Sequence, residues 1–133
     1  MLCRLTPLLL FLLAGCVTTQ DQGEDHELQY ACNDLVVVGR IATTSIAEHA
    51  STDPQDPLPG WLSEFGLQVR IKRVVRGTER QSVVPASSIA HGQIRGDRDF
   101  LVVLSPNQGN GFTLSTAALM SNRPKLREPC LRR

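Results

Sequence analysis

The pattern of apolar and polar positions divides the chain into three parts. Residues 8–13 form an unbroken apolar run of leucines and one phenylalanine, and residues 17–31 are mostly polar, without an apolar period. From residue 32 onward, short apolar or alternating segments recur between turns rich in glycine, proline and asparagine. Short segments of this kind, rich in β-branched residues, predict an all-β domain.

Five segments of this domain are predicted to be strands, at 35–42, 67–76, 81–84, 99–105 and 111–114. The first is apolar on both faces and is expected to bend at Gly39. The second alternates, with Gln68, Arg70, Lys72 and Arg76 on its polar face. Arg73 and Val74 interrupt this alternation, which otherwise indicates a half-buried strand.

The remaining segments are expected to be less regular. Residues 43–63 read as a long loop in which 46–50 are compatible with one helical turn. Residues 115–120 predict a short helix capped by Ser115. The last segment, 123–133, is expected to be coil that is held in place by Cys130.

Five strands in about 100 residues predict a small barrel or sandwich. Their order resembles the OB-fold of TIMP-like, netrin-module domains, and the similar stretches are 34–40 with Cys32, 69–77 and 100–104. The resemblance implies a five-stranded OB-like barrel over residues 32–133. It does not extend to protease inhibition, which in TIMPs needs the free amine of an N-terminal cysteine, whereas Cys32 lies inside the chain.

The first sixteen residues resemble the leader of a bacterial lipoprotein. Arg4 precedes the apolar run, which is shorter than the roughly 20 residues that span a bilayer, so a secretory signal is expected. Leu13-Ala14-Gly15-Cys16 is similar to the lipobox of that family. The resemblance implies a cleaved signal peptide over 1–15, acylation of Cys16 and, since Val17 is not Asp, an outer-membrane location facing the periplasm. Residues 16–31 would then form a flexible tether; the alternative is an ordinary secreted or uncleaved chain.

Four cysteines are present, and two of them are accounted for by this leader. Cys3 would leave with the signal peptide and Cys16 would carry lipid, which leaves Cys32 and Cys130. In an oxidising compartment an even pair predicts a disulfide. A metal or redox pair is the alternative, although no CxxC spacing supports it.

Charge is unevenly distributed along the predicted mature chain. Residues 21–64 carry nine acids and one base, whereas residues 65–133 carry twelve bases and four acids. We therefore take Arg70, Lys72, Arg76 and the loop residue Trp61 as a candidate binding surface for an envelope protein, anionic lipid or glycan. The alternative is a solvated face that neutralises the acidic half. Nucleic acid is not expected, because the few aromatic residues provide no stacking platform.

No motif indicates an enzyme. The histidines at 26, 49 and 91 have no metal-ligand spacing, and no cofactor or metal site is predicted. Ser87 and Ser88 near His91, and Asp97 with Asp99, are weak candidates for chemistry. The sequence therefore favours a membrane-anchored envelope lipoprotein that is a non-enzymatic binding or envelope-structural module; an unrecognised enzyme or metal-binding envelope protein is the alternative.

Overall fold

The computed structural model describes residues 27–48, 55 and 62–133. Within these residues the chain is all-β, with seven strands and one 3-10 turn, Met120–Asn122. The strands are β1 (Glu27–Leu28), β2 (Leu35–Glu48), β3 (Ser63–Arg76), β4 (Val83–Ala90), β5 (Phe100–Pro106), β6 (Phe112–Leu119) and β7 (Lys125–Leu126). No helix in the described part of the chain is long and apolar enough to cross a membrane.

Five of the strands form a closed barrel in the order β2-β3-β4-β6-β5. The β4–β6 pair is parallel and the other four barrel pairs are antiparallel. Strand β2 closes the barrel because its first five residues pair with β5 while most of its length pairs with β3. This arrangement confirms the predicted five-stranded OB-like barrel.

The domain has two hydrophobic cores, one on each side of the barrel wall. The barrel interior holds alternate residues of the strands, such as Val37, Val69 and Val102. Outside the barrel, Val36, Val38, Leu101 and Val103 form a second core with residues of the terminal segments. Because residues 35–38 of β2 and 100–104 of β5 are covered on both faces, these stretches are continuously apolar rather than alternating.

The glycine at position 39 allows β2 to approach β3 closely. A Cβ at Gly39 would clash with the backbone carbonyl of Arg70 on the neighbouring strand. The β2–β3 register shifts between Val38 and Gly39, so the strand changes direction there. The bend expected at this glycine therefore has a steric cause.

The alternation predicted for β3 fails after Ile71 because of a β-bulge. Gly39 pairs with Ile71 and Val38 pairs with Arg73, so Lys72 has no partner on β2. The extra residue moves Val74 to the barrel interior and leaves Arg73 exposed. The alternation in the sequence instead predicts Arg73 on the apolar face and Val74 on the polar face.

Two expected helical segments are strands instead. Residues 115–119 belong to β6, where Ala117 faces the inner core and Ala118 the outer one, and only a 3-10 turn follows. Pairing along β5 outweighs the helix propensity of alanine there, and the Ser115 hydroxyl bonds Ser105 rather than capping a helix. Residues 46–48 likewise extend β2 along β3.

The predicted return strand at 81–84 is longer than expected and passes through Pro85. Strand β4 reaches Ala90 because it pairs with β3 along its whole length. Its other edge pairs with β6 only at Ala86 and Ser87, so the missing N–H of Pro85 breaks no ladder hydrogen bond.

The folded domain begins before Cys32. Strand β1 pairs in parallel with β7, and Tyr30 and Ala31 are buried. The boundary of the tether at residue 31 was therefore wrong for 27–31, because Leu28 and Tyr30 cover the outer core. Residues 16–26 lie outside the described residues.

The Cys32–Cys130 disulfide is present and joins these terminal segments. Next to it, the Cys32 N–H donates to the carbonyl of Leu131 and Leu131 N–H donates to that of Tyr30. The last segment, expected to be coil, therefore contains β7 and forms part of the outer layer.

Candidate functional site

Four basic side chains lie together on the outer face of strands β2 and β3. Arg40 and Arg70 are directly opposite each other in the β2–β3 ladder, and Arg73 is opposite Val38, which faces outward. Lys72, at the bulge between Arg70 and Arg73, is also exposed. We call this set, Arg40, Arg70, Lys72 and Arg73, the basic band.

Asp99, just before β5, holds two members of the basic band. Its Oδ1 accepts a hydrogen bond from Arg40 Nε at 3.0 Å, and its Oδ2 accepts one from Lys72 Nζ at 2.8 Å. The hydrogen bonds from Lys72 and Arg40 hold the pKa of the Asp99 carboxyl below its ordinary value of 3.8. The carboxylate is therefore ionised at neutral pH and neutralises one of the band's four charges.

The candidate residue Arg76 binds a different carboxylate from the basic band, although it lines a cleft together with Arg73. Its Nη2 donates to Glu128 Oε1 at 2.7 Å, while the other carboxylate oxygen of Glu128 accepts from the Tyr30 hydroxyl. The hydrogen bonds from Tyr30 and Arg76 lower the pKa of Glu128. Arg76 thus attaches the C-terminal segment to the barrel, which is a structural role.

The structure therefore groups Arg70 and Lys72 of the predicted binding surface with two residues that were not predicted. Arg40 could have been recognised only from the strand register, and Arg73 only from the bulge, neither of which is visible in the sequence pattern. Trp61 and the predicted lipidation residue Cys16 lie outside the described residues.

The two candidate carboxylates, Asp97 and Asp99, do not form one site. Asp97 pairs with Arg95 at 3.0 Å, whereas Asp99 pairs with Lys72 and Arg40 on the barrel wall. The hydrogen bond from Arg95 lowers the pKa of Asp97, so both carboxylates are held in the charged form. Among the described residues, no three His, Cys, Asp or Glu side chains are grouped so that they could hold a metal ion.

A cleft of about 270 Å³ lies beside the basic band. It is lined by Arg40, Ile41, Ala42, Gln68, Arg70, Val83 and Gly96. Its volume falls just below the roughly 300–1,000 Å³ of pockets that hold drug-sized ligands. The cleft therefore suits a small charged group rather than a large organic molecule.

A larger cavity of about 410 Å³ lies at the end of the barrel where the β3–β4 and β5–β6 turns meet. Several of its polar groups are used to form those turns. Asn107 Oδ1 accepts from the N–H groups of Gly109 and Gly111, and Glu79 Oε1 accepts from those of Arg80 and Gln81. These contacts assign the polar groups at this end to turn structure.

No protein-family model, curated protein or solved structure matches this chain.

Proposed function

We propose that this protein is a lipid-anchored lipoprotein of the bacterial envelope, located at the outer membrane and facing the periplasm. In this proposal its OB-like domain is a non-enzymatic module that binds the anionic lipid headgroups of the membrane that anchors it. The observation that carries the proposal is the basic band, in which only two of the four exposed cations, Arg40 and Lys72, are paired with a carboxylate, that of Asp99.

The short segment between Cys16 and the folded domain supports a lipid surface as the partner. Eleven residue steps separate Cys16 from Glu27, the first residue of β1. At about 3.3–3.6 Å per extended residue, this segment spans at most roughly 40 Å. Acylation of Cys16 would therefore keep the basic band close to the membrane surface.

Charge complementarity supports the same partner. Each Lys or Arg near an anionic membrane surface contributes about 1 kcal/mol of attraction. The side chains of Arg70 and Arg73 form no hydrogen bond or ion pair with any other described residue, so their charges are available for this purpose. Two anchoring signals, a lipid and a basic surface, are typical of stable peripheral attachment.

The lipidation part of the proposal is tested by intact-mass analysis of the full chain expressed in a Gram-negative host. We expect a product that begins at Cys16 and carries a diacylglyceryl group, and a Cys16→Ser variant that carries none. A wild-type product that still begins at Met1, or one with an unmodified Cys16 thiol, would refute the lipid anchor.

The surface-binding part is tested on the lipidated protein in vesicles, by the rate at which phenylglyoxal modifies individual arginines. Vesicles with phosphatidylglycerol should protect Arg40, Arg70 and Arg73, whereas vesicles of phosphatidylcholine alone should not. Arg80, on the β3–β4 turn, serves as the internal control and should react equally in both.

The charge dependence gives a second readout of the same experiment. Arg73→Gln should weaken protection of Arg70 about fivefold, which corresponds to about 1 kcal/mol. Arg80→Gln is the matched control and should leave that protection unchanged. Equal modification rates in both kinds of vesicle would contradict binding of the basic band to anionic lipid.

A further inference from the structure

The ladder places two arginines where a sheet ordinarily avoids them. Arg40 on β2 and Arg70 on β3 are directly opposite each other, and both are exposed. Like charges in directly opposed positions destabilise a sheet. Departures from such local rules are expected at functional sites, and their energetic cost is offset by interactions elsewhere in the protein.

The neighbouring acid relieves this repulsion only in part. Arg40 reaches Asp99 through Nε, and no described residue accepts a hydrogen bond from its terminal nitrogens. The other oxygen of Asp99 is bound to Lys72. The Arg70 side chain has no hydrogen-bond or ion-pair partner among the described residues, so its whole guanidinium group is available.

The surroundings of the two arginines form a small cleft with a neutral lining. Apart from the arginines, its lining side chains are uncharged, and Gln68 adds an amide that can donate a hydrogen bond. Gly96 closes one side, where an added Cβ would lie 3.2 Å from the carbonyl oxygen of Ile41. The close approach of this loop to β2 gives the cleft a wall in addition to the flat sheet.

We propose that the Arg40–Arg70 cleft binds a phosphate group. Each guanidinium group presents paired N–H donors in a fixed plane, which matches the spacing of phosphate oxygens. Two guanidinium groups carry two positive charges, which matches a doubly charged phosphate better than a singly charged carboxylate. Asp99 acts as a positioning residue, because its bond to Nε fixes the Arg40 side chain. This inference rests on the proposed function, to which it adds the headgroup chemistry.

The test compares substitutions that keep the charge of the basic band. Arg70→Lys retains the charge but loses the planar donor pair, and Arg73→Lys is the matched control on the same strand outside the cleft. The lipidated protein in an uncharged detergent is titrated with inorganic phosphate at constant ionic strength, with chloride as the reference salt. The readout is the NMR signal of each arginine Nε–H.

We expect saturable shifts of the Arg40 and Arg70 signals with phosphate and none with chloride. Arg70→Lys should weaken phosphate binding at least about tenfold, whereas Arg73→Lys should change it less than about twofold. Phosphate binding that is absent, or equal in Arg70→Lys and the wild-type protein, would overturn the proposed cleft. An amide spectrum that is unchanged away from the substituted residue and its neighbours confirms that each variant is folded.

Vesicles identify the source of the phosphate and separate this inference from the proposed function. If the ligand is a lipid headgroup, vesicles with phosphatidic acid should shift the same signals and should compete with inorganic phosphate. If phosphate binds but such vesicles do not compete, the cleft is supported and its ligand is a soluble phosphate compound. Protection of Arg73 by anionic vesicles without any phosphate binding would refute the cleft and leave the proposed function standing.

Discussion

The hydroxyl of Tyr30 donates a hydrogen bond of 2.6 Å to Oε2 of Glu128, although the two residues are 98 positions apart in the chain. The disulfide between Cys32 and Cys130 has the same separation, and so does the parallel pairing of β1 with β7. The two terminal segments therefore run side by side in parallel, and their register shifts by two residues near the disulfide, where Ala31 pairs with Leu131. Together they cover the outer core. Arg76, on barrel strand β3, binds the Glu128 carboxylate as well.

This contact predicts a loss of stability at alkaline pH. The hydrogen bond to Glu128 raises the pKa of the Tyr30 phenol above its ordinary value of 10.0. A raised folded-state pKa means that the stabilisation is complete below about pH 10 and is lost as the pH rises through the folded value. Tyr30 is the chain's only tyrosine, so the phenolate absorbance reports this group alone.

Tyr30→Phe keeps the buried ring and removes the hydroxyl. We expect its free energy of unfolding in urea to be lower than that of the wild type near neutral pH and to lack the decrease above pH 10. An absorbance titration of the folded wild-type protein should show a phenolate midpoint above 10.0, the ordinary value. A midpoint at or below that value would contradict the contact.

The same contact predicts a loss of stability in acid. The hydrogen bonds from Tyr30 and Arg76 lower the pKa of Glu128 below its ordinary value of 4.5. A lowered folded-state pKa means that the stabilisation is complete above about pH 4.5 and is lost as the pH falls through the folded value. Glu128→Gln should therefore be less stable than the wild type at neutral pH, and the difference should shrink below pH 4.5.

The control for this experiment is Glu64→Gln, which removes an exposed carboxylate from β3 without breaking a described hydrogen bond. Its unfolding free energy should follow the wild-type pH dependence. The contradicting result is a difference in unfolding free energy between Glu128→Gln and the wild type that stays constant from neutral pH down to about pH 2, well below the ordinary pKa of glutamate. Such a result would argue against an ionised Glu128 in the outer layer.

The disulfide is predicted to supply a large part of the domain's stability. It closes a loop between residues 98 positions apart, and the chain-entropy model assigns about 4.7 kcal/mol to a loop of that length. Domains of this size are usually stable by only about 5–15 kcal/mol. Replacing both Cys32 and Cys130 by alanine should therefore lower the free energy of unfolding in urea by several kcal/mol. Reductant should bring the wild type to the same value and leave the double variant unchanged.

The sequence predicted the parts of the fold that depend on local pattern. Strands buried on both faces are continuously apolar, and the pairing of Cys32 with Cys130 followed from the compartment implied by the leader. The parts that were wrong depend on tertiary contacts. Residues 115–119 become a strand because β5 offers a partner, and Tyr30 belongs to the domain because it covers a second core outside the barrel.

The basic band shows the same division. The polar face of β3 was visible in the sequence, and so were Arg70 and Lys72 as exposed cations. The position of Arg40 opposite Arg70 depends on the β2–β3 register, and the exposure of Arg73 depends on the bulge at Lys72. Neither pairing register nor a bulge has a composition signal in these strands, so the cleft could not be predicted from the chain alone.

The two cores predict different coupling to the disulfide. Leu101 packs in the outer core against the terminal segments, where Cys130 also packs, whereas Leu67 lies in the barrel interior. Both are nearly fully buried, so Leu101→Ala and Leu67→Ala should each cost about 2–5 kcal/mol. In the background without the disulfide, Leu101→Ala should cost less, because the segments that cover it are no longer held together.

A double-mutant cycle measures this difference. Between Leu101→Ala and the paired cysteine substitutions we expect a coupling free energy of at least about 0.5 kcal/mol, whereas Leu67→Ala should be additive within about 0.5 kcal/mol. The unfolding free energies come from urea titrations in which equal slopes confirm a common denatured state. The disulfide constrains the denatured states of the Leu101→Ala and Leu67→Ala variants equally. A coupling that is found only for Leu101 therefore reports the contact between the outer core and the terminal segments. Equal coupling for the two leucines would show instead that the domain has a single cooperative core, with no separate contribution from the outer layer.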